Sequence, residues 1–490
     1  MPSRHSLRAS VCRAQIILGL VAVAMALAAT PATAGLKPDS ATRLIVWHEC
    51  DELVELTDAE LDVWRQRGVG GFACNFGWLR GMGGAHAFSA DPDAQLSGPS
   101  YALQRRFRDS DVVGRLRKRG MKAYLGFYLA NYWNRATPLM DWFDDEAWSR
   151  TVVPAVHDAA GAAHKLGFAG LAVDQELYGQ EGGVQTATWN WRYPGNKRSE
   201  QTVRQEARRR GREVMRALVD GFPDLEMLAY DVHFPESWGE VVQEQTNGIR
   251  AGYRDRLDVD FWNGLTSVEG YGALRLLDAA FYKQPHYGSW DTALEYNSNR
   301  TFAYLSRKLS NWSYASSRMF VSPFAWIDGG NCGCAWERPR PPGYVADQLQ
   351  AFSRWAMGGE FAAYSYAGVR NFDYSPYDGA LRASTRPAVV DGRAPELTVG
   401  EPAVQRRSLR LTGTAGDNLA VRAVRWSAGD RHGTARMTWA ASGNPREGYR
   451  GTMRWRTRSI PLERGRTRVV VAAEDIKGHV TRRTFTVRVP

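Results

Sequence analysis

The feature that most constrains the fold is an alternation of short apolar runs with amphipathic stretches between residues 42 and 366. A strand buried on both faces of a sheet reads as continuous apolar sequence. Eight such runs occur, at residues 43–49, 70–76, 121–130, 168–176, 225–232, 260–266, 319–327 and 359–368. Eight strand and helix alternations predict an α/β fold, a (β/α)₈ TIM barrel. A doubly wound open sheet is the alternative, but "WHECDELVEL" stands where that fold has a glycine-rich turn.

The first amphipathic stretch, "LTDAELDVWRQRG", carries clear helix boundaries. Thr57 and Glu60 have the spacing of a capping box, and Gly68 lies where the helix should end. The longer stretches after the third, fourth, sixth and seventh runs have the same periodicity. Helices therefore connect successive strands, as a barrel requires.

The N-terminal residues have the form of a secretory signal. Arg4, Arg8 and Arg13 accompany an apolar run from Ile16 to Ala29, and Ala32-Thr33-Ala34 follows. This order of basic, apolar and small residues predicts a signal peptide over residues 1–34. A membrane anchor is the alternative, but the run is short for a span of roughly 20 residues. We expect a secreted protein, extracellular or associated with the cell wall.

The remaining length exceeds what one hydrophobic core usually supports, so two domains are expected. We place the barrel at residues 35–387. From 388 to 490 short alternating strands replace the helices, which predicts an all-β sandwich. Its ending, "VVAAEDIKGHVTRRTFTV", resembles the last hairpin of bacterial immunoglobulin-like modules. This segment carries a net charge of +11, so it is either a spacer or a surface for an anionic wall polymer.

Four cysteines follow the predicted signal: Cys50, Cys74, Cys332 and Cys334. Cysteines separated by one residue rarely satisfy disulfide geometry with each other. We expect a Cys50–Cys74 disulfide, or bridges from these two to the later pair. A zinc site is the alternative, but no spaced His or Cys set accompanies it. No metal or other cofactor is predicted.

Two carboxylates end the fourth apolar run, "FAGLAVDQE". In a strand, Asp174 and Glu176 would face the same side, about 7 Å apart along the backbone. Two acids in one cavity divide into a proton donor and a stabilising anion, which is what glycosidic cleavage needs. A structural alternative is that both pair with arginines at the barrel rim. Because active sites of this fold lie at the carboxyl ends of the strands, we predict that both acids are catalytic.

Further candidates lie near other predicted strand ends. Asp231 and Glu269 are additional acids, although Glu269 could instead cap a helix. Asp231 and His233 have a spacing that could bind a metal, but a histidine at the rim is the simpler interpretation. Aromatic rings offer flat apolar faces to sugars. The predicted substrate-binding residues are Trp47, Asn131, Trp133, Tyr178, Tyr230, His233, Trp326 and Tyr366.

The fourth run resembles the fourth-strand motif of glycoside hydrolase family 18, which ends in Asp-x-Glu. "EMLAYD", residues 226–231, is similar to that family's Met-x-Tyr-Asp strand, and "GGEFAAYSY" is similar to its last strand. The resemblance implies that Glu176 protonates the glycosidic oxygen while Asp174 orients an N-acetyl group that acts as nucleophile. The family's two earlier aspartates correspond to Ala169 and Ala172.

A second mechanism uses the same acids differently. Asp174 could be the nucleophile of a retaining glycosidase, with Glu176, Asp231 or Glu269 as the acid. We expect an exported glycosidase acting on a carbohydrate polymer. The alternative is a catalytically inactive barrel that binds glycans. A nuclease would need a cluster of metal ligands that the sequence lacks. The run "RQEARRRGR" is interpreted as a solvated helix face, so nucleic acid is not an expected partner.

Overall fold

The computed structural model describes residues 43–75, 99–128, 141–174, 189–193, 195–230, 256–278, 289–327, 341–356, 359–365, 368–370, 373–385, 391–444 and 448–489. The chain divides into a compact unit of residues 36–490 and an N-terminal unit of residues 1–35, which lies outside the described part. Among the described helices, none is both long enough and apolar enough to cross a membrane.

Eight parallel strands form a closed barrel in which each strand pairs with the next and β8 returns to β1. The prediction of a TIM barrel is confirmed. The strands are β1 Arg43–Glu49, β2 Val69–Asn75, β3 Lys122–Tyr128, β4 Gly170–Asp174, β5 Glu226–Tyr230, β6 Ala273–Asp278, β7 Met319–Trp326 and β8 Glu360–Tyr364. We call the end of the barrel where the strands begin the lower end, and the end where they finish the upper end.

At least one helix follows each of the eight strands of the barrel. The helices are α1 Cys50–Glu55, α2 Asp58–Gln66, α3 Pro99–Ser110, α4 Val112–Lys118, α5 Asp145–Ala147, α6 Val153–Leu166, α7 Glu200–Gly221, α8 Asp258–Leu265, α9 Trp290–Lys308, α10 Trp312–Ala315, α11 Pro342–Trp355 and α12 Asp378–Ala383. A π-helical turn, Trp148–Val152, joins α5 to α6.

Helix boundaries follow the sequence closely at α2. The Thr57 hydroxyl accepts from the Glu60 amide, and the Glu60 carboxylate accepts from the Thr57 amide, so the capping box is confirmed. Gly68 has a φ of +91°, a conformation that favours glycine. Ser199 and Ser289 cap α7 and α9 in the same way, since each side chain accepts from the amide three residues on.

The sixth predicted strand is wrong, because residues 260–266 lie in helix α8 and at its end. This helix is buried nearly all round and packs on α7, which makes its sequence look like a strand. A Cβ atom at Gly211 of α7 would lie 2.1 Å from the Phe261 carbonyl oxygen, so the two helices touch through glycine. The true β6, "ALRLLD", carries Arg275 in its middle and so lacks a continuous apolar run.

The arginines of α7 pair with neighbouring acids. Arg210 is 2% exposed; its Nε donates to the Trp142 carbonyl and its Nη1 lies 2.8 Å from Glu213. Arg204 and Arg208 both pair with Asp260 of α8. The interpretation of "RQEARRRGR", residues 204–212 of α7, as a solvated helix face is therefore wrong for Arg210. These arginines hold α7 to its neighbours.

The described residues after 390 form antiparallel sheets, as predicted. The strands are β9 Glu396–Val399, β10 Ala403–Gln405, β11 Ser408–Arg410, β12 Thr412–Gly416, β13 Val421–Ala428, β14 Arg431–Thr434, β15 Arg436–Asn444, β16 Gly448–Arg456, β17 Ile460–Pro461, β18 Gly465–Asp475 and β19 Val480–Val489. One four-stranded sheet has the order β15-β16-β12-β9 and another β14-β13-β18-β19. A small sheet, β10-β11-β17, accompanies them.

These sheets pack against α9 of the barrel. The Met437 amide donates to Ser306 Oγ at 2.8 Å, and Arg307 Nη1 donates to the Met437 carbonyl at 2.9 Å. Further along the same helix, Asn299 Oδ1 accepts from the Val421 amide. Specific hydrogen bonds to backbone groups therefore fix strands β13 and β15 on one barrel helix.

Candidate functional site

The lower end of the barrel is filled by a cluster of charged side chains. Lys122 Nζ lies 2.7 Å from a carboxylate oxygen of Glu226 and 2.7 Å from one of Glu360. Arg275 reaches the same two carboxylates at 3.3 Å. Two cations thus face two anions, and the Tyr124 hydroxyl lies within hydrogen-bonding distance of both acids. We call these five residues the lower charge cluster.

The lower charge cluster contains two positive and two negative side chains, and these charges affect the pKa values of Glu226 and Tyr124. Burial tends to raise the pKa of Glu226, but the charges of Arg275 and Lys122 and hydrogen bonds from Lys122 and Tyr124 outweigh it. The pKa of Glu226 is therefore below its ordinary value. Burial raises the pKa of the Tyr124 phenol well above its ordinary value, with the nearby Glu360 charge as a second cause. At neutral pH Glu226 therefore stays ionised and Tyr124 stays neutral.

Further up, the interior of the barrel changes from charged to aromatic. The Trp47 ring lies 5.8 Å from Tyr230 and 5.9 Å from Phe324, measured between ring centroids. Tyr230 and Phe324 are 4.8 Å apart, and Tyr364 lies 6.3 Å from Phe324. We call these four residues the aromatic layer. Together with smaller side chains such as Ala172, they fill the interior near the upper end.

Trp47 is almost completely enclosed in this layer. It is 1% exposed, and its indole Nε1 is buried without a hydrogen-bond partner among the described residues. A buried indole N–H usually finds an acceptor, because leaving it unpaired costs free energy. Trp47 lies on β1 in register with Tyr364 of β8, two residues before the end of β1. The unpaired donor is therefore near the upper end.

Asp174 is the last residue of β4. In the parallel ladders it is in register with Tyr128 of β3 and with Tyr230 of β5, each of which also ends its strand. Two residues earlier on β4, Ala172 lies in the barrel interior. The sequence-based placement of Asp174 at the carboxyl end of the fourth strand is therefore correct. Tyr230 likewise ends the fifth strand, where it contacts Trp47.

A second acid at a strand end escaped the sequence analysis. Asp278 is the last residue of β6 and is in register with Pro323 of β7. It was missed because the sixth strand was assigned to α8. The signal that could have found it is the form of "LRLLD", in which an acid ends a leucine-rich run as Asp174 does in "LAVD".

The remaining predicted site residues have different outcomes. Trp47 and Tyr230 meet in the aromatic layer. The backbones of Asp174 and Trp326 end β4 and β7, at the upper end. The others, which lie outside the described residues, are Asn131, Trp133, Glu176, Tyr178, Asp231, His233 and Tyr366.

The prediction that Glu269 follows the sixth strand is wrong. Glu269 precedes β6, in the turn after α8, and so lies on the side of the lower end. Its carboxylate accepts from the Asn311 side-chain amide at 3.3 Å, at an exposed position. The cause is again the misassigned strand, which moved the predicted end of β6 from residue 278 to residue 266. This position separates Glu269 from Asp174 and the aromatic layer.

A disulfide joins Cys50 to Cys74, which is one of the alternative pairings expected from the sequence. Cys50 begins α1, directly after β1, and Cys74 is the penultimate residue of β2. The bond therefore ties the turn after the first strand to the second strand at the upper end. Both cysteines are buried. Cys332 and Cys334 lie outside the described residues.

Comparison with known proteins finds similarity only among solved structures. No protein-family model matches the sequence, and no curated protein matches it. A GH18 chitinase from Pseudoalteromonas aurantia is 11% identical with a TM-score of 0.37, over 70% of this chain and 100% of that one. Endo-glycoceramidase II from Rhodococcus sp. is 12% identical with a TM-score of 0.38, over 88% and 100%. A GH5-4 broad specificity endoglucanase from an uncultured bacterium is 10% identical with a TM-score of 0.42, over 68% and 85%.

Proposed function

We propose that this chain is an exported glycoside hydrolase that cleaves a carbohydrate polymer at the upper end of its barrel. The observation that carries the proposal is the position of Asp174. It ends β4 in register with Tyr230, which belongs to the aromatic layer. An acid at a strand end beside aromatic rings is suited to a sugar, whose C–H faces pack on rings while its oxygens meet carboxylates.

In this proposal Glu176 is the general acid. Side chains alternate along a strand, and Ala172 of β4 faces the barrel interior. We propose that this alternation continues through residue 176, so that Asp174 and Glu176 both face the site. Glu176 would protonate the leaving oxygen while Asp174 stabilises the positive charge that develops on the sugar ring. Asp278 joins Asp231 as a further candidate acid because it ends the neighbouring strand β6.

We further propose that the reaction retains the anomeric configuration. Asp174 would then either form a covalent bond to the sugar or orient an N-acetyl group that does so. Azide separates these two routes. If Asp174 is the nucleophile, azide should restore turnover to Asp174→Ala and yield a glycosyl azide of inverted configuration relative to the substrate. Failure of azide to restore turnover or give that product would favour the substrate-assisted route.

Export is proposed on two observations. Residues 1–34 have the composition of a signal peptide, and the Cys50–Cys74 disulfide is of the kind that persists in oxidising compartments. The C-terminal sheets are proposed to be an immunoglobulin-like module. Their net charge of +11 supports attraction to an anionic wall polymer. Retention of the chain on anionic wall material that falls steeply with salt would support this role.

The central test is turnover on a panel of bacterial, fungal and plant polysaccharides, read as released sugars by mass spectrometry. The chain should release sugar from at least one polymer, and Glu176→Gln should lose about 10²–10⁴-fold in rate. Glu146→Gln is the matched control, because Glu146 is an exposed acid on α5 and its loss should leave turnover unchanged. Binding of a polymer without any release would contradict the proposal and favour a glycan-binding barrel.

A further inference from the structure

Three segments of the C-terminal sheets bring acidic side chains together at one end. Asp391 lies in the segment that leads into β9, Asp417 follows β12, and Asp475 is the last residue of β18. His479 lies in the turn between β18 and β19. The three segments are far apart in the sequence, so no sequence motif indicates this cluster. We call these four residues the acidic junction.

The geometry of the acidic junction suits one bound ion. His479 Nδ1 lies 2.9 Å from Asp475 Oδ2 and 3.7 Å from Asp391 Oδ2. One ligand atom from each of these three residues lies within 4.8 Å of the other two. Ligand bonds of about 2.0–2.3 Å place two ligands of one ion up to about 4.5 Å apart. Small side-chain rotations would therefore bring all three onto a single cation.

The strongest indication is an unpaired oxygen on a buried acid. Asp391 is 6% exposed, and its Oδ2 has no hydrogen-bond partner among the described residues. Its other oxygen accepts from the Arg393 amide and from the Asn418 side chain, which fixes the orientation of the carboxylate. Asp417 repeats this arrangement, because Oδ1 accepts from the Leu419 amide and Oδ2 is buried without a partner. A buried carboxylate oxygen normally has a hydrogen-bond or charged partner, so both oxygens are available to a cation.

Asp475 and His479 are held in place by their own turn. Asp475 Oδ1 accepts from the amides of Lys477 at 2.8 Å and His479 at 2.9 Å. This leaves Asp475 Oδ2 facing the imidazole. Second-shell hydrogen bonds of this kind orient ligands in metal sites. The ion pairs that Asp391 and Asp475 make with described residues involve only His479, so two carboxylates share one imidazole.

We propose that Asp391, Asp475 and His479 bind one divalent transition-metal cation such as Mn²⁺ or Zn²⁺. Carboxylates alone would suit Ca²⁺ or Mg²⁺, but an imidazole among the ligands favours the transition metals. No metal site is expected from the sequence, because these three residues come together only in the folded chain.

The position of the site indicates what the ion would do. Asp391 lies at the entry of the chain into the C-terminal sheets. Next to the other ligands, the Ile476 amide donates to the Ala420 carbonyl, and Lys477 Nζ donates to the Ala356 carbonyl at the end of α11. A cation here would join the entering segment to the turn between β18 and β19, which contacts the barrel through Lys477. It would therefore hold the sheets in place on the barrel.

The test is metal binding by the full chain with any affinity tag removed and metals stripped by a chelator. Titration calorimetry with MnCl₂, ZnCl₂ and CaCl₂ gives affinity and stoichiometry, and thermal unfolding gives the stabilisation by each ion. The variants are Asp391→Asn and His479→Gln. Their matched controls are Asp430→Asn and His432→Gln, which change exposed residues in and beside β14 of the same sheets.

We expect wild type and both controls to bind Mn²⁺ or Zn²⁺ at this site and to unfold at higher temperature with it. Each ligand variant should bind at least about 10-fold more weakly and lose the thermal shift. Circular dichroism without metal shows whether each variant is folded, and the wild-type titration stands without any variant. Absence of binding by wild type, or equal binding by variants and controls, would overturn the site. A preference for Ca²⁺ that His479→Gln leaves unchanged would overturn the imidazole as a ligand.

Discussion

The two ends of the barrel are formed by the same strands but differ in the side chains that fill the interior. At the lower end, Lys122 and Arg275 neutralise Glu226 and Glu360, so charged groups are buried with their partners. At the upper end the aromatic layer encloses Trp47 with an unpaired indole N–H, and β4 ends in an acid. Opposite charges buried together, as at the lower end, are typical of a structural role, whereas active sites of this fold lie at the carboxyl ends of the strands. The comparison teaches that a cluster of charged side chains does not by itself indicate a binding site.

The largest effect on stability is expected from Glu360→Gln, which tests the structural role of the lower end. Glu360 is buried, and its removal leaves Lys122 and Arg275 facing Glu226 alone. Breaking a buried pair costs about 3–5 kcal/mol in the free energy of unfolding. Urea unfolding measures this, with the exposed Glu146→Gln as control and only a small change expected there. A variant that lost turnover but unfolded like wild type would contradict the assignment of stability to the lower end.

The disulfide should have the next largest effect. Replacing Cys50 and Cys74 together by serine should lower the free energy of unfolding by about 2–4 kcal/mol, because the unfolded chain is no longer constrained. The same loss should appear in wild type when a reductant is added, and the double variant should be insensitive to reductant. Equal stability of the oxidised and reduced wild type would show that the upper end does not depend on this bond.

The third prediction concerns how the difference in the free energy of unfolding between wild type and Glu226→Gln changes with pH. The pKa of Glu226 lies below its ordinary 4.5 in the folded chain, so its ionised form stabilises the fold. That stabilisation is complete above about pH 4.5 and is lost as pH falls through the lowered pKa. Wild type should exceed the variant by about 1–3 kcal/mol at pH 7. Urea unfolding between pH 7 and pH 3 should show this gap closing, and a constant gap would contradict an ionised Glu226.

The smallest effect on stability is expected from Trp47→Phe, which keeps a ring but removes the indole N–H. The free energy of unfolding should fall by about 1–2 kcal/mol, less than truncation to alanine would cost. If the upper end binds glycan, KM should rise severalfold. Trp312→Phe is the matched control, because Trp312 of α10 is also buried with an unpaired Nε1 but precedes β7 at the lower end. Equal changes in KM for the two variants would show that Trp47 does not contact the substrate.

Much of the barrel was predictable because buried parallel strands are apolar throughout. Seven of the eight runs contain strands, and the failure at the sixth has a physical cause. The apolar run of β6 is interrupted by Arg275. Its charge can be buried there because Glu226 of β5 and Glu360 of β8 neutralise it. Local sequence cannot show that a charge in a strand will be neutralised by distant ones. The same limit hid Asp278, whose strand was not recognised.

The site residues that could be predicted are those that lie on or at the end of an apolar strand. Asp174 and Tyr230 end their strands as the apolar runs indicated, and Trp47 lies where the first run placed it. The acidic junction could not be predicted, because Asp391 and Asp475 meet only through the pairing of the C-terminal sheets. Periodicity locates a residue along its own element. It does not show which residues of other elements will face it.

The closure of the barrel has a consequence for the synthesis of this chain. β1 can pair with β2 soon after both leave the ribosome, but its other edge is completed only by β8, which begins at residue 360. Until then β1 carries free backbone donors and acceptors that invite pairing with other chains. A nascent or truncated molecule that lacks β8 should therefore self-associate through this edge. Quality control of the protein would then depend on how quickly the eighth strand arrives.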